Sequence, residues 1–242
     1  TGTGFSIFTN IKYLDPTLIL WRSSSQWIGG LYFLFFLVII FSNKQFNFKM
    51  NDLTFSGDGS VNSENNIKNL LLRISIIYIS LSSIIFLLLN ISDVRMFNSL
   101  NLSMSLVSTG GFIPTNSLES IIKSNTQKII FIFSLLISML NFFLIFNFFQ
   151  KKIIARGHKE DFYLILFLLI LILLVYFNNY SGLDLIIGVL SSLSNSGLSL
   201  INADNNLSLY FLLITIIGGS IISNTSGIKF TRVYILFKTA SS

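Results

Sequence analysis

The sequence has no cysteine, a single histidine and few charged residues, and each shortage excludes a class of chemistry. Without cysteine there is no disulfide framework, no thiolate metal site and no cysteine nucleophile. One histidine argues against histidine-rich metal sites and against catalytic triads. Charged residues make up 11% of the 242 positions, well below the share typical of soluble domains. The side chains on which most enzymes rely are therefore scarce.

Hydrophobic residues take their place, at 52% of the chain and a mean hydropathy of +0.74. A helix needs about 20 apolar residues to cross the hydrocarbon core of a membrane. Five uncharged runs approach that length, so the composition predicts an all-α polytopic membrane protein. The five predicted spans are 27–41, 74–91, 129–149, 162–177 and a fifth that begins near Leu207.

Three further segments interrupt this pattern. The fifth span is broken by the sequence GGSIISNTSG at 218–227. The segments 95–107 and 181–194 are too short and too polar to cross, and they are predicted to be re-entrant helices that dip into the membrane and return.

Short loops rich in glycine and hydroxyl side chains occur three times. They are TGTGF at 1–5, STGGF at 108–112 and SNSGL at 194–198, called here the first, second and third glycine loops. The second and third each follow a short helix and precede a span, which indicates an internal repeat. The matching glycines Gly4, Gly111 and Gly197 are 107 and 86 residues apart.

The repeat predicts five parts in the chain. Because the first repeat lacks its front half, we expect the sequence to be a fragment of a longer protein. The parts are the second half of a first repeat (1–42), a polar cytoplasmic loop (43–66), a second repeat (67–150), a cytoplasmic loop (151–160) and a third repeat with the broken span (161–242).

Charge distribution predicts the orientation, because cytoplasmic loops near span ends collect Lys and Arg. The side away from the glycine loops carries eleven basic residues against five acidic ones, whereas the glycine-loop side carries five of each. The glycine loops are therefore expected to open outward.

Loops without acid or base can still bind ions. Non-helical backbone at membrane depth is tolerated only where it is buried in protein or lines water. Carbonyl oxygens turned inward can replace the water shell of an alkali cation, and glycine permits the required geometry. The hydroxyl groups either add oxygen ligands or brace the loops; they belong to Thr1, Thr3, Ser108, Thr109, Ser194 and Ser196. The alternative is that Gly and Ser only allow close helix packing.

Two other function classes compete with an ion path. A membrane-embedded enzyme needs nucleophiles, carboxylate pairs or metal ligands at depth, and none of the five spans has Asp, Glu, His or Lys in its interior. A sodium- or proton-coupled carrier with alternating access predicts inverted repeats, whereas these repeats keep one orientation. The carrier is the alternative to an ion path, and no enzyme is expected.

Three motifs at these distances resemble the Trk/Ktr (TrkH/KtrB-like) potassium-transporter superfamily, and specifically its pore-forming membrane subunit. They are WRSSSQWIGG at 21–30, VSTGGF at 107–112 and GGSIISNTSGIKFTRV at 218–233. The resemblance implies repeated units of span, pore helix, filter loop and span around a pseudo-fourfold ion path, which is incomplete in this chain. It also implies potassium uptake across the cytoplasmic membrane.

The resemblance also assigns residues to a selectivity filter. In related proteins a serine at the first filter glycine accompanies sodium preference, so Gly4 favours potassium, whereas SNSGL departs from the usual Thr-rich third strand. No other metal site is expected. The implied filter residues are Thr1, Gly2, Thr3, Gly4, Ser108, Thr109, Gly110, Gly111, Ser194, Asn195, Ser196 and Gly197.

The broken span corresponds in the family to an intramembrane loop that obstructs the pore until it moves. Its glycines weaken a helix by about 1 kcal/mol each, and its polar side chains can satisfy the freed backbone groups. The alternative to a gate is a helix that is only kinked for packing. The alternative for Lys229 is a snorkelling anchor. The implied gate residues are Gly218, Gly219, Ser223, Asn224, Thr225, Ser226, Gly227 and Lys229.

The family resemblance further implies a homodimer that rests on a cytoplasmic ring of nucleotide-binding regulatory subunits (TrkA/KtrA-like). The inner loops 151–159 and 229–238 are basic and are proposed as docking faces, with contact to lipid phosphates as the alternative. The chain itself has no phosphate-binding loop, so we expect no cofactor in it, K⁺ only as the transported ion, and no nucleic-acid partner.

Overall fold

The structure is a computed structural model that describes residues 11–42, 64–142, 159–177, 182–200 and 205–240. Within these ranges the chain forms eight α-helices, two short 3₁₀ turns (Ile11–Tyr13 and Leu118–Ser120) and no named β-strand, which confirms the predicted all-α class. The helices are α1 (Pro16–Ser42), α2 (Glu64–Ile91), α3 (Met96–Val107), α4 (Asn125–Met139), α5 (Lys159–Phe177), α6 (Leu183–Ser194), α7 (Asn205–Ile214) and α8 (Phe230–Ala240).

Two of the described helices are long and apolar enough to cross a membrane. These segments are Pro16–Ile40 and Leu71–Ile91, with mean hydropathies of 1.6 and 2.3. Their outer faces expose large apolar side chains such as Tyr32, Phe36 and Ile76. Helix α5 also has exposed Leu and Ile residues on several sides. Such all-round apolar helices are stable in lipid, where no apolar face needs a protein partner.

The two short helices lie inside the protein. Helix α3 packs against α1, α2 and α4, and α6 packs against α4, α5 and α7. Leu102 and Leu106 of α3 and Leu190 of α6 are fully buried. Both segments were predicted to be re-entrant, and in the structure each is a twelve-residue helix enclosed by its neighbours.

Local sequence sets where α1 and α4 begin. Asp15 precedes α1, and its Oδ1 atom accepts hydrogen bonds from the Thr17 hydroxyl at 2.6 Å and the Thr17 N–H at 2.9 Å. These two bonds hold the pKa of Asp15 below its ordinary value. Helix α4 begins with a capping box in which Ser124 and Gln127 bond each other's backbone N–H groups.

The third predicted span, 129–149, was wrong as a continuous helix. Helix α4 ends at Met139, and Leu140 has extended backbone angles (φ −74°, ψ 162°) before Phe142 is helical again. Residues 143–150 lie outside the described ranges. The break exposes backbone groups that a distant segment pairs, as described below.

The fifth predicted span is interrupted as expected. The interruption is longer than the predicted 218–227. Helix α7 ends at Ile214 and α8 begins at Phe230, so residues 215–229 form a non-helical segment called here the interruption loop. The first glycine loop lies outside the described residues, and so do residues 43–63 and 151–158 of the two predicted cytoplasmic loops, 43–66 and 151–160.

Candidate functional site

The second glycine loop closes the C-terminal end of α3. Thr109 has a left-handed backbone (φ 51°), its N–H bonds the Leu106 oxygen at 3.1 Å, and the Gly110 N–H bonds the Ser105 oxygen at 2.8 Å. These two bonds with a left-handed residue form a Schellman motif, which satisfies carbonyls that a helix end leaves unpaired. Gly111 follows with φ 74°.

The third glycine loop repeats this conformation at the end of α6. Asn195 has φ 58°, its N–H bonds the Ser192 oxygen at 3.1 Å, and the Ser196 N–H bonds the Ser191 oxygen at 3.0 Å. Gly197 follows with φ 68°. The two loops therefore share one backbone conformation, residue for residue, although their sequences share few residues.

The second and third glycine loops differ in the residue at their left-handed position. A β-branched residue such as Thr109 is a strained occupant of left-handed backbone, and such strain is found at functional sites. Asn195 is a better-tolerated occupant because its short polar side chain can bond locally. The departure of SNSGL from the expected Thr-rich strand thus leaves the backbone geometry unchanged.

The hydroxyl groups brace the loops. Ser108 donates to the Met104 oxygen at 2.8 Å, and Thr109 donates to the Ser108 oxygen at 2.8 Å. In the third loop the Ser194 hydroxyl bonds the Ser196 hydroxyl at 3.0 Å. These side chains are buried and engaged with the protein, which favours bracing over the expectation that they add oxygen ligands.

A buried glutamine from α1 supports the second glycine loop. Gln26 is 0% exposed, and its Nε2 atom donates to the Gly110 oxygen at 3.0 Å. A Cβ at Gly110 would collide with the Gln26 side chain. Gly30, one turn further along α1, lies where a Cβ would be 2.9 Å from the Ser108 Cβ. The role of Gln26 was missed, although it lies inside the WRSSSQWIGG motif.

The interruption loop is closed at its base by backbone pairing. Ile217 and Ile228 form a parallel bridge, in which the Gly218 N–H bonds the Ile228 oxygen and the Ile228 N–H bonds the Ile216 oxygen, each at 2.9 Å. Further in, the Gly219 N–H bonds the Thr225 hydroxyl at 2.8 Å. The loop is thus a defined structure and not a simple helix kink.

The same loop docks on the break in α4. The Ser220 N–H bonds the Met139 oxygen at 3.0 Å, and the Phe142 N–H bonds the Ile222 oxygen at 3.0 Å. These bonds satisfy the groups that the end of α4 leaves without helical partners. A Cβ at Gly219 would lie 2.6 Å from the Met139 oxygen, so the docking requires glycine there.

Two buried carboxylates at the start of α5 hold the docked loop. Glu160 is 2% exposed and accepts a 2.8 Å bond from the Ile221 N–H, and Asp161 is 1% exposed and accepts a 3.0 Å bond from the Asn141 N–H. The charge count assigned both residues only to the side away from the glycine loops and did not address their burial. The surrounding basic sequence, KKIIARGHKED, gave no sign of their burial.

The loop also contacts both glycine loops. Asn224 donates its amide to the Val107 oxygen at 2.8 Å, and its backbone oxygen accepts the Thr109 hydroxyl at 3.1 Å. On the other side, the Asn195 amide donates to the Ser226 oxygen at 3.3 Å. The structure therefore brings together the second and third predicted filter strands and the predicted gate residues.

Lys229 points back into the loop. Its Nζ donates to the Thr225 oxygen at 2.6 Å and the Ser223 oxygen at 3.0 Å, and it lies 5.8 Å from the centre of the Phe33 ring. A snorkelling anchor would extend toward a membrane surface. The observed contacts therefore favour a place within the interruption loop over a snorkelling anchor.

The described residues do not include the first predicted filter strand, which is Thr1, Gly2, Thr3 and Gly4. Within the described part of the chain, no group of three or more His, Asp or Glu residues could hold a metal ion. Asp184, at the start of α6, forms an ion pair with Lys128 at 2.6 Å.

Comparison with known proteins identifies the fold. No family model matches the chain. The chain is 25% identical, over 98% of its length, to an uncharacterised cation transporter of Methanocaldococcus jannaschii. Its structure superposes on the crystal structure of the potassium transporter TrkH from Vibrio parahaemolyticus with a TM-score of 0.78, at 19% identity and over 99% of the chain.

The chain spans about half the length of each of these proteins, 50% of the cation transporter and 52% of TrkH. The expected likeness to potassium transporters of the Trk/Ktr type is therefore confirmed at the level of the fold. The proteins it resembles are membrane transporters, in agreement with the expectation of a membrane protein that is not an enzyme.

Proposed function

We propose that the protein containing this chain moves K⁺ across the cytoplasmic membrane through a path lined by backbone oxygens of its glycine loops. The observation that carries the proposal is the shared conformation of 108–111 and 194–197, each a Schellman motif followed by a left-handed glycine. Two unlike sequences keep one backbone geometry at matching positions of the predicted repeat, which supports a common role for the two loops. The fold of TrkH and the relation to a cation transporter support the proposal.

The chemistry of the loops fits an alkali cation. They present peptide oxygens without a fixed negative charge, and such oxygens can replace the hydration shell of K⁺ while still letting it leave. The hydroxyl groups donate bracing bonds, so the peptide carbonyls are proposed as the principal ligands. Residues 1–4 are proposed as a further strand of the same filter, with Gly4 favouring potassium over sodium.

The interruption loop is proposed as the gate. It is bonded to Val107 and Thr109 on one side and to Asn195 on the other. Opening would require the loop to give up these bonds together with its docking on α4 and α5. Each such bond contributes about 1 kcal/mol, so the closed state is held by several small terms that a partner could overcome.

Orientation and partners complete the proposal. The glycine loops face outward and the basic segments face the cytoplasm, by the positive-inside rule. The protein forms a homodimer, and a nucleotide-binding regulatory subunit docks on 151–159 and 229–238. Arg232 and Lys238 of α8 are exposed and would form part of such a surface.

The test is ion flux in liposomes that contain the full-length protein and either of two variants, Gly197→Ala or Gly182→Ala. Both glycines have positive φ and open space where a Cβ would be added, but Gly182 lies outside the proposed filter. Alanine is strained at both positions, by about 1–2 kcal/mol in left-handed backbone. Gly182 (φ 113°, ψ 171°) lies in a region that essentially only glycine adopts, so the control is the more strained of the two. We expect Gly197→Ala to lower rubidium-over-sodium selectivity about tenfold and Gly182→Ala to leave it unchanged.

Equal selectivity in the two variants would overturn the filter assignment. Flux that depends on a sodium or proton gradient, or that admits larger solutes, would favour the coupled carrier instead.

A further inference from the structure

The ammonium group of Lys229 lies in a cage of four oxygen atoms from its own loop. The nearest are the backbone oxygens of Thr225 at 2.6 Å and Ser223 at 3.0 Å. The hydroxyl oxygens of the same two residues are each 3.3 Å away. Ser223 and Thr225 are fully buried. These four atoms are called here the oxygen cage.

The oxygen cage has the ligand set of a monovalent cation site. Two carbonyls and two hydroxyls, all uncharged, are the hard oxygen ligands that replace water around an alkali ion. An ammonium group and K⁺ have similar ionic radii, and a lysine side chain is a compact point charge on a flexible stem. The oxygen cage therefore holds one K⁺-sized positive charge, supplied by a covalently attached group.

Charged and aromatic groups surround the oxygen cage. Glu160 attracts the Lys229 ammonium, whereas Arg232 repels it. The second oxygen of Glu160, Oε2, is buried and has no hydrogen-bond partner among the described residues. The Phe33 ring adds a weakly attractive π face.

We propose that the oxygen cage is a monovalent-cation site that Lys229 keeps filled, and that it takes a free K⁺-sized ion when the ammonium leaves. Lys229 is then a tethered substitute for an alkali ion. The inference rests on the proposed function in one respect, which is that it names K⁺ as the ion that competes with the Lys229 ammonium. A lysine that only stabilises the loop by hydrogen bonds would not be replaced in the oxygen cage by a free ion.

The experiment measures the melting temperature of the full-length protein in detergent, as wild type and as Lys229→Met. The salt is varied among potassium, rubidium, sodium and N-methylglucamine chlorides at one ionic strength. We expect Lys229→Met to melt below wild type in N-methylglucamine and to recover in potassium or rubidium, with a potassium-dependent rise about twice that of wild type. Cations that bind only the folded state stabilise it by mass action.

Two controls separate the oxygen cage from other causes. Lys123→Met removes the same charge from an exposed position and should keep the wild-type salt response. Adding Gly197→Ala to Lys229→Met perturbs the proposed filter, and the extra potassium response should survive. A response that disappears with Gly197→Ala would belong to the filter and would overturn the inference.

A second variant covers the case in which Lys229→Met does not fold. Lys229→Gln keeps most of the side-chain length and removes the charge, and it enters the same salt series. Equal destabilisation in all four salts, in every variant that folds, would mean that Lys229 only stabilises the loop by hydrogen bonds. That result would overturn the inference. A potassium-specific response in a protein that transports no ion would keep the oxygen cage and refute the proposed function.

Discussion

Asn224, in the middle of the interruption loop, donates its side-chain amide to the backbone oxygen of Val107, the last residue of α3, at 2.8 Å. The backbone oxygen of Asn224 accepts the Thr109 hydroxyl in return, at 3.1 Å. Asn224 of the proposed gate is thus both a hydrogen-bond donor and an acceptor toward the end of α3 and the proposed filter. Movement of the loop must change the hydrogen bonds of the second glycine loop.

Replacing Asn224 by Asp tests this joint. The carboxylate has the same size but cannot donate to the Val107 oxygen, so the closed state should lose about 1–3 kcal/mol. Ion flux without any regulatory partner should rise about tenfold or more. Asn90→Asp, at an exposed position near the end of α2, is the matched control. Wild-type flux in Asn224→Asp, with protein that remains folded, would refute a holding role for this bond.

Two substitutions at Asn195 separate its backbone role from its side-chain role. Gly keeps the left-handed conformation and removes the 3.3 Å bond to the Ser226 oxygen, whereas Ala removes the bond and also disfavours that conformation. We expect Asn195→Ala to melt at a lower temperature than Asn195→Gly, by about 1 kcal/mol in stability. Flux measurements on Asn195→Gly then report the loss of the bond alone. Equal melting of the two variants would contradict the left-handed assignment.

The glycines at the start of the interruption loop are predicted to be intolerant of a methyl group. A Cβ at Gly218 would overlap the Ser226 oxygen, and one at Gly219 would lie 2.6 Å from the Met139 oxygen. Neither neighbour is a flexible side chain, so the loop itself must shift. Gly219→Ala should therefore raise flux and lower the melting temperature, by about 1–3 kcal/mol in stability. Ser226→Ala, which adds no atoms in the same loop, should do neither.

Gly110 and Gln26 are predicted to be energetically coupled. Gly110→Ala places a methyl group against the buried Gln26 side chain, while Gln26→Ala leaves the Gly110 oxygen without its donor. The double variant relieves the collision, so its destabilisation should be smaller than the sum of the two single ones. A coupling of about 0.5–3 kcal/mol in a thermal or denaturant double-mutant cycle would support the contact. Additive effects would show that the two residues act independently.

The sequence predicted the elements that local composition controls. Long apolar runs predicted helices within α1, α2 and α5, and the glycines of 218–227 indicated the break between α7 and α8. The equivalence of Gly111 and Gly197 followed from the repeated order of short helix, loop and span, and the structure gives both a left-handed backbone. These features depend on the residues themselves and their near neighbours.

Features that depend on distant contacts were missed. The end of α4 at Met139 contains no Gly or Pro, because the break is stabilised by hydrogen bonds to Ser220 and Ile222. Glu160 lies in a strongly basic segment and is nevertheless buried, because it bonds the Ile221 N–H. Neither relation is encoded within a window of neighbouring residues, and hydropathy alone cannot reveal either of them.

The break in α4 has a consequence for biogenesis. The Met139 oxygen and the Phe142 N–H find their partners only in residues 220 and 222, which leave the ribosome much later. Unpaired backbone groups are costly in lipid, so we expect the segment around Leu140 to be inserted as an unbroken helix first. A late step in maturation then unwinds a helix that is already in the bilayer, and chains truncated before residue 220 should never complete it.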